Sequence, residues 1–563
     1  MKRAIKTTGL RYWMLRVLHE CDHVAAGFNA DPVHDLRVAL RRCRSMADGM
    51  MAMDPDPAWK NMKKAGKRLF QSLGDLRDTQ IMMEWIEKLS PTVSYPNTPP
   101  SGVVQASVAE ADLPASPEAN ENDLATSSDP SNESSQDPAK KLLGILRSRE
   151  SDQKRSARAQ LDQFDRKQWR QWSKSLPVRS ARIRPGSAVF KHLALERWTA
   201  ARELHNRALR NRSQVALHAL RIGIKRFRYI VENFLPVEHK LWSNDLKHMQ
   251  DLLGEVHDLD VLWAAALSCH VFHTAESRRA WHERIVAERT KRIDEYRQRM
   301  VGPNSLWNVW RAGLPQGRRI QQIATQRMKL WAKALDPDFA HSECVARLAV
   351  ELYDGLDAAA LLGSSSEVID GNGRDPRSAL YVAALLHDVG RSKGNKGHHK
   401  QSQDLIKAHG TPLGWDADTM QQAAVIARFH SGALPVRSHK ALRDLLPDQQ
   451  KTIIRLAAIL RLANAFDAQH DGQIRRVKVE SQARGNASTK GRNGVQRRLA
   501  PPAQNQAVVV EAEGYIPSSS TAQRIAAERY LLETVLRRPV VVKAPSPKSD
   551  STRTRLPARV PRN

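Results

Sequence analysis

Two sets of side chains in this sequence have the types and spacing to do chemistry. The first is an ordered series of histidines, carboxylates and one amide: His341, the adjacent pair His387 and Asp388, His398 and His399, His430, then Asn464 and Asp467. An imidazole followed directly by a carboxylate at a helix end offers two different ligands to one divalent cation, and histidines from neighbouring helices can close the shell. A cation held this way lowers the pKa of bound water and so provides a nucleophile for attack at phosphorus. The second set is a pair of cationic rows. His34, Arg37, Arg41 and Arg44 recur at i, i+3, i+7 and i+10, and His218, Arg221, Lys225 and Arg228 repeat the spacing. Guanidinium forks suit phosphate oxygens, and a histidine at the end of a row can donate a further hydrogen bond.

The elements that must position these groups are helices. At about 100° per residue the four positions of each row span about 80° of helix surface. Leu36, Leu40, Cys43 and Ala47, matched by Leu220, Ile224, Phe227 and Val231, fall on the adjoining arc and are expected to be buried. Like charges at i, i+4 repel by a few tenths of a kcal/mol per pair, a cost that a ligand with closely spaced negative charges would reverse. The histidine and carboxylate series lies on apolar-periodic segments: HSECVARLAVELYDGL, ALYVAALLHDVGR, HHKQSQDLI, AVIARFHSGALP and AAILRLANAFDAQH. Lys393, Lys396 and Lys400 beside the histidine pair make either a basic approach or a solvated loop.

Composition bounds the rest. A chain of 563 residues is too long for a single core, so two or three domains are expected. A formal charge of +29 calls for an anionic partner, with polyphosphate, nucleic acid and an anionic membrane surface as candidates. No apolar run is long enough to span a bilayer. The four cysteines, Cys21, Cys43, Cys269 and Cys344, have no CxxC spacing and read as reduced thiols of a cytoplasmic protein. Residues 90–138 shift abruptly to Ser, Pro, Asn, Ala and acids, and are expected to be a disordered insertion. A break at VGPNSLW, 301–307, marks a domain boundary. The expected layout is therefore a helical domain over 1–300, a second over 318–543 and a basic disordered tail over 544–563. Segments near 474–480 and 507–513 predict a small strand pair joined by a basic, glycine-rich stretch, and a last helix begins near Thr521.

The two rows, each followed by a second matching stretch, LGDLRDTQIM from Leu73 and LGEVHDLDVL from Leu253, resemble the CHAD domain, the conserved histidine α-helical domain. Lys67 and Lys247 each precede the glycine of that stretch by seven residues and add one cation per half. The resemblance covers roughly the first 300 residues. It implies an all-helical fold of two pseudo-symmetric bundles whose basic faces line a central groove and bind inorganic polyphosphate.

The later series is similar to the HD superfamily of metal-dependent phosphohydrolases. HxxxVxxLAxxLYD, LLHDVG, HHKxSxxLI, ARFHxxxLP and ILRLANAFD resemble the carboxy-terminal HD-type domain of the exopolyphosphatase and guanosine pentaphosphatase family. The resemblance implies that His341, His387 and Asp388 are metal ligands, with Mg, Mn or a similar divalent ion as cofactor, and that His387 and Asp388 are catalytic. His399 and His430 would line the site. The superfamily's last metal aspartate falls at Asn464, an amide and so a weaker ligand, with Asp467 one turn on. The amino-terminal actin-like domain that carries catalysis in those relatives is not found in this sequence. Overall the sequence predicts a mainly all-α protein, a duplicated helical bundle plus an α-helical HD-type domain with a small β hairpin. The expected function is polyphosphate binding joined to metal-dependent phosphohydrolysis, the substrate being polyphosphate or a nucleotide phosphate. Two alternatives stand beside it: a non-enzymatic polyphosphate scaffold with a degenerate HD domain, and nucleic-acid binding.

Overall fold

The computed structural model describes residues 9–89, 137–211, 213–362, 375–480 and 507–545. The insertion expected at 90–138 and the tail expected at 544–563 lie outside the described residues apart from their edges, as does the basic stretch between the two expected strands. The described chain is mainly helical and forms two compact units, Met1–Met50 with Pro57–Leu314, and Met51–Asp56 with Pro315–Asn563.

The first unit begins with α1 (Leu10–Ala25) and α2 (Ala30–Met51), followed by α3 (Pro57–Ala65) and α4 (Lys67–Leu89). Next come α5 (Pro138–Asp162), α6 (Arg166–Ser180), α7 (Ala188–Arg210), α8 (Gln214–Phe234), α9 (Pro236–Ser268), α10 (Ala275–Met300) and α11 (Leu306–Ala312). The apolar arcs beside both rows are buried: Leu36, Leu40, Cys43 and Ala47 in α2, and Leu220, Ile224, Phe227 and Val231 in α8. Several starts are capped locally, as where Asp165 and Ser213 accept from the backbone N–H of Gln168 and Ala216. The two halves meet where α4 packs on α9, the helices that carry the two glycine-centred stretches. The unit runs past the Gly302–Pro303 break to Leu314 because Trp307 and Trp310 of α11 are fully buried, and Trp198 in α7 donates its indole N–H to Trp307 O at 3.2 Å.

The second unit holds α12 (Arg318–Leu335), α13 (Phe339–Ala358), α14 (Pro376–Leu386), α15 (His398–His409), α16 (Ala417–Arg428), α17 (Pro447–Phe466) and α18 (Ser520–Leu536). A short 3-10 turn, Val389–Lys393, separates α14 from α15. Helix α14 packs on α13 and α16, and α17 packs on α13 and α18, around a core that includes Val345, Leu352, Leu385, Ile426, Leu456 and Leu460. The expected strand pair is β1 (Arg476–Val479) and β2 (Val508–Glu513), antiparallel, with Val477 opposite Ala512. A third strand, β3 (Val540–Lys543), pairs parallel to β2. Its β-branched run of Val540, Val541 and Val542 carried the signal, but the parallel partner lies across α18, beyond any local pattern.

Candidate functional site

In the second unit the donor series converges from five helix ends. His341 is in the first turn of α13, whose N-cap, Asp338, accepts from the His341 backbone N–H at 3.4 Å. His387 caps the C-terminus of α14, and Asp388 follows as the chain enters the 3-10 turn. His398 opens α15, His430 follows the end of α16, and Asn464 and Asp467 sit in the last turn and at the C-cap of α17. The turn holding His387 and Asp388 is fastened to α15 by Ser402, whose hydroxyl donates to His387 O at 2.5 Å and accepts from Gly390 N–H at 2.9 Å. A Cβ at residue 390 would lie 2.6 Å from Ser402 N, so the backbones of turn and helix approach this closely only at glycine.

His341, His387, His398 and His430 each have Nδ1 occupied. His387 Nδ1–H donates to Ala384 O at 2.7 Å, His430 Nδ1–H to Ala427 O at 2.8 Å and His398 Nδ1–H to Asn395 O at 2.8 Å. His341 Nδ1–H donates to the Asp467 carboxylate at 2.8 Å. In a neutral ring each such bond leaves Nε2 as a lone pair, the arrangement in which imidazoles present themselves to metals; at His398 the hydrogen bond to Asp388 raises the pKa. His341, His387 and Asp388 form one group of mutually close donors, and Asp388, His398 and His430 form another, so Asp388 is shared. His398 Nε2 and His430 Nε2 are 3.0 Å apart and lie 3.3 and 3.4 Å from Asp388 Oδ1. His341 Nε2 and Asn464 Oδ1, two acceptors, face each other at 3.0 Å.

Burial sharpens the case. His387 and Asp388 are at most 1 % exposed, and His387 Nε2 and Asp388 Oδ1 make no hydrogen bond. A buried polar atom without a partner costs about 1–3 kcal/mol, and lone pairs directed at one another add repulsion. A divalent cation at the convergence removes both costs, so the residues present fit such an ion. Burial lowers the pKa of His387 and of His430, keeping both neutral as ligands must be. Burial works against the charge of Asp388, yet its pKa is held well below the usual carboxylate range by any proton carried on His387, His398 or His430 and by the permanent charge of Arg391. Arg391 Nε lies 2.7 Å from Asp388 Oδ2.

His399 is not in either donor group. Helix α15 starts at His398, and the 100° step to the next residue turns His399 toward Gly432, where an added Cβ would lie 3.1 Å from its ring. Asp467 is brought to the site as the acceptor behind His341. Lys393, Lys396 and Lys400 are exposed. A cleft of about 530 Å³ leads to Asn464 and is lined by Arg391, His470, Ser520, Gln523 and Arg524. His470 stacks on His341 at 3.8 Å and pairs with Asp338 at 2.7 Å, with a left-handed backbone (φ 59°). Neither Arg391 nor His470 was singled out from the sequence; Arg391 stands three residues after Asp388, one helical turn on, which is the one local hint of its pairing.

In the first unit the two rows converge in part. Arg41 from α2 lies 5.6 Å from the centroid of the Tyr229 ring, and Lys225, on the same helix as Tyr229, α8, lies 6.0 Å from it. Burial and the charges of Arg221, Arg41 and Arg37 push the Lys225 ammonium down to about 8, so cations from both copies share one space. Arg37 lies along α4 at Gly74, where a Cβ would meet its Nη1 at 2.5 Å, and Arg37 Nη1 and Arg41 Nε are buried without hydrogen-bond partners. Arg44 turns elsewhere and donates to Lys63 O at 2.8 Å, while Arg228 lies 3.8 Å from Glu232. His34 and His218 are exposed at the row ends, and His218 Nδ1 is 3.4 Å from His257 Nδ1. Lys67 and Lys247 are exposed, the latter 3.9 Å from Asp251.

Four further residues belong to this region: Arg77 and Asp78 from α4, with His257 and Asp258 from α9. Burial raises both aspartates, Asp258 to about 6, and Arg221 acts on each of them. Their signal was present in the repeat, since LGDLRD and LGEVHD place Arg77 opposite His257 and Asp78 opposite Asp258.

Comparison with known proteins follows the same division. Residues 14–267 match the family model of the CHAD domain, and residues 320–490 match that of Ppx/GppA phosphatase, domain III. Among solved structures, a crystal structure of the CHAD domain from the plant Ricinus communis is 18 % identical, covering 56 % of this chain and 96 % of that chain with a TM-score of 0.31. No curated protein matches. Among the described residues no helix is long and apolar enough to cross a membrane. The chain thus matches the CHAD domain over one stretch and Ppx/GppA phosphatase domain III over the next.

Proposed function

We propose that the protein binds inorganic polyphosphate through its first unit and hydrolyses a phosphoanhydride or phosphoester through its second, with a divalent metal. The observation that carries the hydrolytic reading is the pair of buried, unpartnered atoms, His387 Nε2 and Asp388 Oδ1, with His341 closing one donor group and His398 and His430 closing another around the shared Asp388. A divalent cation held there supplies Lewis-acid polarisation of a phosphoryl oxygen and a lowered pKa for water. The donor set is rich in imidazole, which suits Fe²⁺ or Zn²⁺ better than Mg²⁺, while the Asp388 carboxylate and the Asn464 amide oxygen are ligands that Mn²⁺ and Mg²⁺ accept. Asp467 and the backbone carbonyls orient the imidazoles, and Arg391 steadies Asp388 by its second oxygen. Arg391 and Arg524 offer forks to phosphate oxygens along the cleft, and among the described residues lining it His470 has the only ring. That lining suits a bare phosphate chain over a nucleotide, whose base would need a stacking surface.

The polymer-binding reading is supported by Arg37, Arg41, Arg221 and Lys225, which share one space with unpartnered guanidinium nitrogens. A polymer held by one part of a chain is presented to another at a raised effective concentration. The test is phosphate release from long-chain polyphosphate with Mn²⁺ or Mg²⁺, comparing wild type with a His387→Ala, Asp388→Ala variant. We expect release only from wild type and equal polymer affinity in both. Equal release from the two proteins eliminates the enzyme, and no release from either leaves the scaffold alternative, in which Asn464 marks lost chemistry.

A further inference from the structure

We propose that His19, Glu20 and His23 on α1 form a binding site for a zinc-class divalent cation, separate from the donor cluster of the second unit. The three residues read His-Glu-Cys-Asp-His, so the histidines stand at i and i+4 and share a helix face. Their rings are 4.2 Å apart and both are exposed. His19 Nδ1 lies 3.3 Å from Glu20 Oε1, and His23 Nδ1 lies 3.3 Å from Glu20 Oε2. For ligand bonds of about 2.0–2.1 Å, the edge of a zinc tetrahedron is about 3.3–3.4 Å. Each imidazole Nδ1 therefore stands one such edge from a Glu20 oxygen, and the three donor atoms lie within 4.8 Å of one another, close enough to share one ion with a fourth position left for water.

Glu20 is a carboxylate only 1 % exposed. Arg16 Nε neutralises part of its charge at 2.5 Å, but Arg16 also reaches Asp35 at 3.2 Å, so Glu20 can share its oxygens with a cation without stranding the guanidinium. Burying a carboxylate is costly, and the duplication shows that the helix packing does not require it. The shift of 184 that carries Ala30 to Gln214 and His34 to His218, at matching helix starts, carries His19, Glu20 and His23 to Glu203, Leu204 and Arg207. The second copy meets α8 with the half-buried Leu204, which lies against Gly223. The first copy alone has two imidazoles around a buried carboxylate. The spacing is also that of zinc metalloprotease helices, in which the glutamate acts as a general base. Here Glu20 is buried, paired with Arg16 and itself a ligand in the proposed site, so the site would hold a cation without supplying a base for peptide hydrolysis.

The test uses the full chain with Co²⁺ as probe, following the visible absorption of four-coordinate cobalt and counting bound metal by equilibrium dialysis. We expect a His19→Gln, His23→Gln variant to bind one equivalent fewer than wild type, with unchanged helical signal and melting temperature. A His387→Ala, Asp388→Ala variant should retain that equivalent, and Zn²⁺ should displace it. Equal cobalt binding by wild type and the His19→Gln, His23→Gln variant would overturn the proposal, as would loss of the equivalent in the His387→Ala, Asp388→Ala variant alone.

Discussion

Single residues decide how tightly each site can hold its ligand. Asn464 offers an amide oxygen beside His341 Nε2, and an Asn464→Asp variant places a charged oxygen there. We expect that variant to bind Mn²⁺ roughly tenfold more tightly, because divalent affinity rises with ligand charge; calorimetric titration measures it. Among the clustered cations of the first unit two groups titrate near neutrality. Lys225 is depressed to about 8 by burial and neighbouring cations, so it loses its charge as pH rises through that value. Asp258 is raised to about 6, so it becomes neutral as pH falls through that value and removes a negative charge from the cluster. Both changes act in one direction, and polyphosphate affinity should fall steadily from pH 5.5 to pH 9. Lys225→Arg should abolish the alkaline part of that profile and Asp258→Asn the acid part. Fluorescence titration across pH reads both, and a flat profile in wild type would exclude these two groups from the binding surface.

Helices deliver these residues, and three glycines test how. Gly390 lets the turn after α14 lie against α15, where Ser402 ties them together. Because an added Cβ there meets backbone atoms, Gly390→Ala should destabilise the second unit by about 3 kcal/mol or more and cost metal binding, as a thermal melt and metal titration would report. Gly74 and Gly254 occupy the same place in the two halves, yet their surroundings differ. A Cβ at Gly74 meets the flexible end of Arg37, whereas one at Gly254 meets nothing within 4 Å. Gly74→Ala should therefore displace Arg37 and weaken polymer binding severalfold while leaving the melting temperature within a few degrees. Gly254→Ala should change neither, and equal losses in both variants would show that Arg37 does not touch the ligand. From the sequence Gly74 and Gly254 were visible only as members of a repeat.

The whole chain carries a formal charge of +29, so any polyanion is attracted to it and affinity alone says little about selectivity. Salt dependence resolves how much of the attraction is local to the cluster. Replacing Arg37, Arg41, Arg221 and Lys225 by Ala should reduce the slope of log affinity against log salt by about 3, close to 0.7–0.9 per phosphate contact removed. The helical signal should be unchanged, since these side chains border the core without filling it. If RNA displaces polyphosphate at equal phosphate concentration, the cluster is a general polyanion surface.

What the sequence determined by itself is the chemistry available and the face each helix offers to it. Adjacency of His387 to Asp388 and the repeated spacing of the rows are local facts, and so are the buried arcs beside the rows, because helical periodicity alone assigns a residue to a face. The all-α class with a small sheet followed from the same patterns. Only the tertiary structure decided which donors meet. It put His398 in place of His399 through the start of α15, set Asp467 behind His341, turned Arg44 to the Lys63 carbonyl, and brought Asp78 and Asp258 among the cations. Convergence depends on where one helix ends and how another crosses it, and contacts between residues more than a hundred positions apart leave no period in a sequence to read.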